Sequence, residues 1–176
     1  MKCMILLIFS LVISGTMTLF DFSVDSDLRN WMIVDDVVMG GRSNGQFEIG
    51  NEGHGVFSGD VSIENNGGFS SLRYNLAQIN VADFSKAIIR LKGDGKNYQF
   101  RTKTDKYDRH SYVYSFQTSG DWEDIEISFS DMEPRFRGRQ LNMSNYPGQL
   151  LEEVAFLIGN KKNESFRLEI DSIVLK

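Results

Sequence analysis

Phe57-Ser58-Gly59-Asp60-Val61-Ser62-Ile63-Glu64-Asn65-Asn66-Gly67-Gly68-Phe69-Ser70-Ser71-Leu72-Arg73 is two short extended runs around a turn. Asn65, Asn66, Gly67 and Gly68 are residue types that tolerate positive φ. The quartet is therefore suited to turning the chain sharply and to exposing backbone N–H and C=O groups. Beyond it, Phe69, Ser71 and Arg73 fall on one face of a strand, and Ser70, Leu72 and Tyr74 on the other. The stretch predicts β structure with a shaped turn that either holds a ligand or partner loop or serves only the fold.

Working outward, the same reading repeats. Upstream, Gln46-Phe47-Glu48-Ile49 alternates polar and apolar, and Leu19-Phe20-Asp21-Phe22 reads as a first strand, followed by a polar turn or short helical turn at residues 25–30. Downstream, residues 75–85 read as a connection with one helical turn at 81–84. Asp94-Gly95, between the runs 87–92 and 97–102, predicts a hairpin. Tyr112, Tyr114 and Phe116 share one face, as do Ile125, Ile127 and Phe129. Residues 131–146 form a long polar excursion. Residues 154–158 are a continuous apolar strand, residues 166–170 alternate again, and residues 173–175 close the chain. Nine or ten short strands, with little helical periodicity, predict an all-β sandwich or barrel. No repeat or low-complexity linker divides the chain, so residues 19–176 read as one domain.

Residues 1–18 stand apart. Lys2 precedes an apolar run at residues 4–13, broken only by Ser10, and the small residues Ser14, Gly15 and Thr16 follow. A run of ten residues, nine of them apolar, suits the core of a signal peptide and is short for a membrane span. The expectation is export, periplasmic or secreted; a chain that keeps the segment as a buried strand would be cytoplasmic. Any membrane contact would run through this segment alone. The only cysteine, Cys3, lies inside it, so removal leaves no disulfide or thiolate chemistry. The net charge of −5 and pI near 5.1 argue against a nucleic-acid binder, which shows a basic face.

One run is unusual for a strand. Trp31-Met32-Ile33-Val34-Asp35-Asp36-Val37-Val38-Met39-Gly40-Gly41-Arg42-Ser43 places two carboxylates inside an apolar stretch that ends in a double glycine. Burying an unpaired charge is unfavourable, so hydrogen bonds from nearby loop N–H groups, or pairing with Arg42 or Arg73, are expected there.

With these blocks placed, the chain resembles the complex I intermediate-associated protein 30 family, assembly factors of NADH:ubiquinone oxidoreductase and their bacterial relatives. The resemblance rests on Trp31 with residues 35–43, on Phe57-Ser58-Gly59, on residues 64–73 and on Gly93-Asp94-Gly95-Lys96-Asn97-Tyr98. Trp122, residues 134–139 and residues 166–173 complete it. It implies a galactose-binding-domain-like jelly-roll β-sandwich and a non-enzymatic, chaperone-like role toward a protein partner, such as a respiratory-complex subunit.

Asp35, Asp36, Met39, Arg42, Glu64, Asn65, Asn66, Phe69 and Arg73 are the candidate partner- or ligand-binding residues, with Asp36 and Arg73 as charged anchors. A carbohydrate-binding module of the cell envelope is the alternative, with an aromatic platform drawn from Tyr107, Tyr112, Tyr114 and Trp122; alternation favours the core for Tyr112 and Tyr114. Arg135, Arg137 and Arg139 would share a face if extended, either to grip an acidic partner or as a solvated loop. A hydrolase using Asp36 and Glu64 is the third reading, although adjacent carboxylates such as Asp35 and Asp36 are a poor catalytic pair. No cofactor or metal is expected. The two histidines, His54 and His110, are far apart, and no spaced Ca²⁺ loop is present. Gly93-Asp94-Gly95-Lys96 lacks the spacing of a phosphate loop.

Overall fold

The computed structural model describes residues 15–176. The segment read as an export signal lies, through residue 14, outside them. The strands are β1 (Met17–Asp21), β2 (Trp31–Asp35), β3 (Asn44–Ile49), β4 (Gly55–Val61), β5 (Ser70–Asn80), β6 (Lys86–Lys92) and β7 (Asn97–Lys103). They continue with β8 (Ser111–Gln117), β9 (Trp122–Ser128), β10 (Glu133–Phe136), β11 (Arg139–Gln140), β12 (Leu150–Ile158) and β13 (Glu164–Leu175). Two antiparallel sheets result. The first runs β3-β4-β13-β6-β9, with β1 beside the C-terminal half of β13; the second runs β11-β10-β8-β7-β12-β5-β2. The expected jelly-roll β-sandwich is what the chain forms.

Alternation builds the interior. Phe57 and Leu168 from the first sheet meet Leu72, Phe100 and Phe156 from the second, all wholly or almost wholly buried. Stiff and aromatic side chains of this kind fit a pleated, half-buried surface. Towards one edge, Trp31 is packed among Phe20, Phe22, Phe47 and Tyr74, with ring centroids 4.7–5.3 Å from its own. Near it the two sheets come close together. Gly45 on β3 donates its N–H to Asp35 Oδ2 at 2.9 Å, and a side chain at that glycine would strike Ser70 Oγ on β5.

Several local expectations need correction. Asp94-Gly95 does not close a hairpin, because β6 and β7 belong to different sheets. The loop carries the chain across the sandwich and is held by its own side chain. Asp94 accepts from Lys96 Nζ at 2.6 Å, from the Tyr98 hydroxyl at 3.0 Å and from the Arg167 N–H at 3.0 Å. The Asn65–Gly68 turn likewise joins β4 of one sheet to β5 of the other. Its positive φ values are as expected, +55° at Asn65, +60° at Asn66 and +131° at Gly68. Residues 75–80 are the second half of β5 rather than a connection, and residues 81–84 make a single turn. The two closing runs are one strand, β13, irregular between Ile170 and Ser172 where its pairing with β6 shifts. The polar excursion contains β10 and β11.

Candidate functional site

The two carboxylates near the start of the chain do different work. Asp35, paired with Ser70 across β2 and β5, points into the gap between the sheets. Asp36 opens a 3-10 turn, Asp36–Met39, that ends on Gly40 at φ +90°. Its carboxylate is wholly buried. It accepts from the Ser43 N–H at 3.0 Å, the Ser43 hydroxyl at 2.5 Å, the Gly68 N–H at 2.5 Å and the Phe69 N–H at 3.1 Å. Side chains at Gly41 or Gly67 would collide with it. The Ser43 hydroxyl also receives the Ser62 N–H at 3.0 Å. One carboxylate therefore ties the loop 36–43 to the loop 62–69. Burial alone would raise the Asp36 pKa, but the bonds from Ser43, Gly68 and Phe69 outweigh it and hold the carboxyl below its ordinary range.

This placement corrects the expectation of Asp36 as a surface anchor. Its acceptor capacity is taken up by the chain's own donors, and it meets no solvent. Glu64 lies outside, paired with Arg42 at 2.9 Å, both side chains being more than half exposed. An exposed pair of this kind contributes little to stability. Asp36 and Glu64 thus form no catalytic pair across a cleft. Met39, Asn65 and Asn66 are exposed on the same tied loops. Val37, Met39 and Ile63 are 59%, 56% and 48% exposed, large values for apolar side chains.

Phe69 and Arg73 lead elsewhere, to the face of the second sheet turned away from the core. Strand pairing places Met32, Arg73, Ala155, Arg101, Val113 and Glu133 in one row across β2, β5, β12, β7, β8 and β10. Beside it run Val34, Ser71, Leu157, Gln99 and Ser115, and on the other side Asn75, Glu153 and Lys103. Ser71, Val113, Ala155 and Leu157 make a buried floor of small and apolar groups, between which long polar side chains stand. None of these outward positions is aromatic. Phe69 lies at the border, near Leu157 and Gly159.

The charges on this face are unevenly matched. Arg135 meets Glu133 at 2.7 Å, while Arg73 is 4.0 Å from Glu153. Lys103 Nζ donates to the Lys106 and Asp108 carbonyls at 3.2 and 2.8 Å. Arg101 donates from Nε and Nη2 to Gln99 Oε1 at 3.0 and 2.6 Å and has no ion-pair partner among the described residues. Burial, together with the positive charges of Arg73 and Arg135, pushes its pKa down to about 10.

Arg101, Gln99, Glu153 and Glu133 were not singled out from the sequence. The alternation around Tyr98, Phe100 and Thr102 gives the direction of Arg101, but nothing local gives its neighbours. Arg135, Arg137 and Arg139 do not share a face. The chain reverses at Arg137 (φ +48°) and Gly138 (φ +76°), and Arg137 lies over Phe136. Tyr112 and Phe116 are buried, as alternation predicts; Tyr107 is 82% exposed, and Trp122 packs on His54 in the other sheet. A cleft of about 280 Å³ between the Gly50–His54 turn and Lys92, Arg167 and Glu169 holds none of the candidate residues. Among the described residues, no three His, Cys, Asp or Glu side chains converge on a metal site, and no helix is long and apolar enough to cross a membrane.

The sequence pattern of the family described as complex I intermediate-associated protein 30 matches residues 20–170. The chain belongs to that family. This chain's fold is also that of solved carbohydrate-binding modules. A family 11 module from Clostridium thermocellum, solved with a β-1,3-1,4-mixed-linked tetrasaccharide, is 22% identical, with a TM-score of 0.65 over 92% of this chain and 95% of that one. The family 11 module of a cellulosomal cellulase of the same organism is 20% identical, with a TM-score of 0.66 over 92% and 94%. A family 29 module is 7% identical, with a TM-score of 0.54 over 92% and 91%. At these identities the likeness concerns the fold. In this member of the complex I intermediate-associated protein 30 family, two of the blocks that carry the resemblance, residues 35–43 and 64–73, meet at the Asp36 carboxylate.

Proposed function

We propose that this domain is a non-catalytic binding module that holds a glycan chain on the outward face of the β11-to-β2 sheet. The observation that carries the reading is the array of long hydrogen-bonding side chains, Arg73, Gln99, Arg101 and Glu133 among them, over a floor of Ser71, Ala155 and Val113. A hydroxyl-rich ligand needs many donors and acceptors fixed on a rigid support, and sheet positions supply that. The shared fold with modules that bind saccharides supports it. Export, expected from residues 1–18, would bring the domain to envelope glycans. The test is affinity electrophoresis of the purified protein in gels containing neutral and acidic polysaccharides. Retardation by at least one is expected, with loss in Arg73→Ala/Gln99→Ala and retention in Arg42→Ala. Unretarded migration in every gel, or retardation indifferent to the face, would remove this reading.

A second reading has its own observation. Val37, Met39 and Ile63 stand exposed on two loops joined by one carboxylate, and clustered exposed apolar groups mark protein contacts. A chaperone-like role toward a protein partner, such as a respiratory-complex subunit, would use that end of the sandwich. It predicts co-purification of a protein that Met39→Ser/Ile63→Ser abolishes while glycan retention persists.

A further inference from the structure

We infer that the ligand of the outward face is an acidic polysaccharide, a chain bearing uronic-acid carboxylates, and that Arg101, flanked by Arg73 and Arg135, receives one of those carboxylates. The inference rests on the glycan reading and names its ligand class. The protein is acidic overall, at −5, yet Arg73, Arg101, Lys103 and Arg135 face only Glu133 and Glu153 on these rows. Glu133 is taken by Arg135. Glu153, at 4.0 Å from Arg73, is a loose partner. Lys103 is spent on two carbonyls of its own loop. Arg101 is left with one side-chain amide oxygen, that of Gln99, as the acceptor for both its Nε and Nη2.

A guanidinium partly removed from water and pressed by two like charges, which the Glu153 carboxylate offsets only in part, gains from a further anion. Its planar fork suits a carboxylate, which accepts two parallel N–H bonds. Arg73 lies in the same row as Arg101, with Ala155 between them. At about 4.8 Å per strand, their backbones are roughly 10 Å apart, and the small intervening side chain leaves the approach to Arg101 open. Gln99 and Glu133 add acceptors for hydroxyl groups, while Glu153 is buried beneath them. Donors for carboxylates interleaved with acceptors for hydroxyls are what a uronate chain presents a need for. An extended peptide would instead seek a sheet edge, where its backbone could pair, whereas these groups lie in the middle of the sheet face.

The test is titration calorimetry on the full chain with four probes: tetragalacturonate, the neutral β-1,3-1,4-linked tetrasaccharide, a sulfated galactan oligosaccharide and a poly-glutamate peptide. Tetragalacturonate is expected to bind tightest and to weaken as salt rises. Arg101→Gln is expected to weaken it about tenfold or more, and Arg101→Lys by an intermediate amount, with unchanged thermal unfolding confirming that both variants fold. If the neutral tetrasaccharide binds as well and Arg101→Gln changes nothing, the acidic-ligand inference fails while the glycan reading stands. Tighter binding of the sulfated oligosaccharide would likewise overturn the carboxylate. Binding of poly-glutamate alone, dependent on Arg101, would sink both in favour of an acidic protein. Binding of none of the four would also overturn both.

Discussion

Asp36→Ala is expected to lower the unfolding free energy by about 4 kcal/mol and the melting temperature by roughly 8–16 °C. The substitution removes the acceptor for three backbone N–H groups and one hydroxyl, those of Ser43, Gly68 and Phe69. A buried donor left unpaired costs about 1–3 kcal/mol, partly relieved if water enters the gap. Asp36→Asn keeps the shape but turns an NH₂ towards donors, so a smaller loss, about 2 kcal/mol, is expected. Thermal unfolding of the purified variants measures both. An effect below 1 kcal/mol for Asp36→Ala would mean that the two loops are held independently of it.

The same carboxylate makes a pH prediction. Its folded pKa lies below the unfolded value of about 3.9. The stabilisation is therefore present above pH ~4 and is lost as pH falls through the lower, folded value. The difference in melting temperature between wild type and Asp36→Asn should be flat near neutrality and shrink below pH ~4. A difference that widens in acid would contradict the assignment.

Gly59→Ala is expected to be nearly as damaging, at about 3 kcal/mol and roughly 6–12 °C. Gly59 sits at φ +150° on β4, opposite Gly45 of β3. A methyl group there would fall on the Asn44 carbonyl. That atom is backbone in the paired strand, so relief requires breaking the ladder rather than rotating a side chain. Amide exchange should show protection lost first at β3, residues 44–49. Wild-type protection throughout β3 would show that the strand yields without unpairing.

How much of this was legible beforehand differs by level. Strands with one buried face were readable because Tyr98, Phe100 and Thr102, or Ile125 and Ile127, repeat every second residue. The sheet to which a strand belongs was not. An Asp-Gly turn between two alternating runs serves a hairpin and a crossover equally, and the bonds that hold the crossover, donated to Asp94 by Lys96, Tyr98 and Arg167, include one from 73 residues away. The fate of Asp36 was half-legible. Its need for N–H partners followed from burying a charge, but its depth followed only from the loop 62–69 closing over it. Arg73 could be assigned to a face from alternation alone. The importance of Arg101 depends on β12 lying between β5 and β7, a pairing of residues far apart in sequence.

The pairing of β1 with the end of β13 has a mechanical consequence. Met17 stands opposite Leu175, and the ladder continues inward to Asp21 and Ser172. A load applied across these two ends would pull against the outermost pair alone and peel the strands apart one pair at a time, instead of shearing the whole ladder at once. On its other side β13 is joined to β6 with Leu175 opposite Ala87, so that ladder too would open from the same end. A pull across these two strand ends would therefore reach the sheet that holds β1, β13 and β6 first and the opposite sheet last.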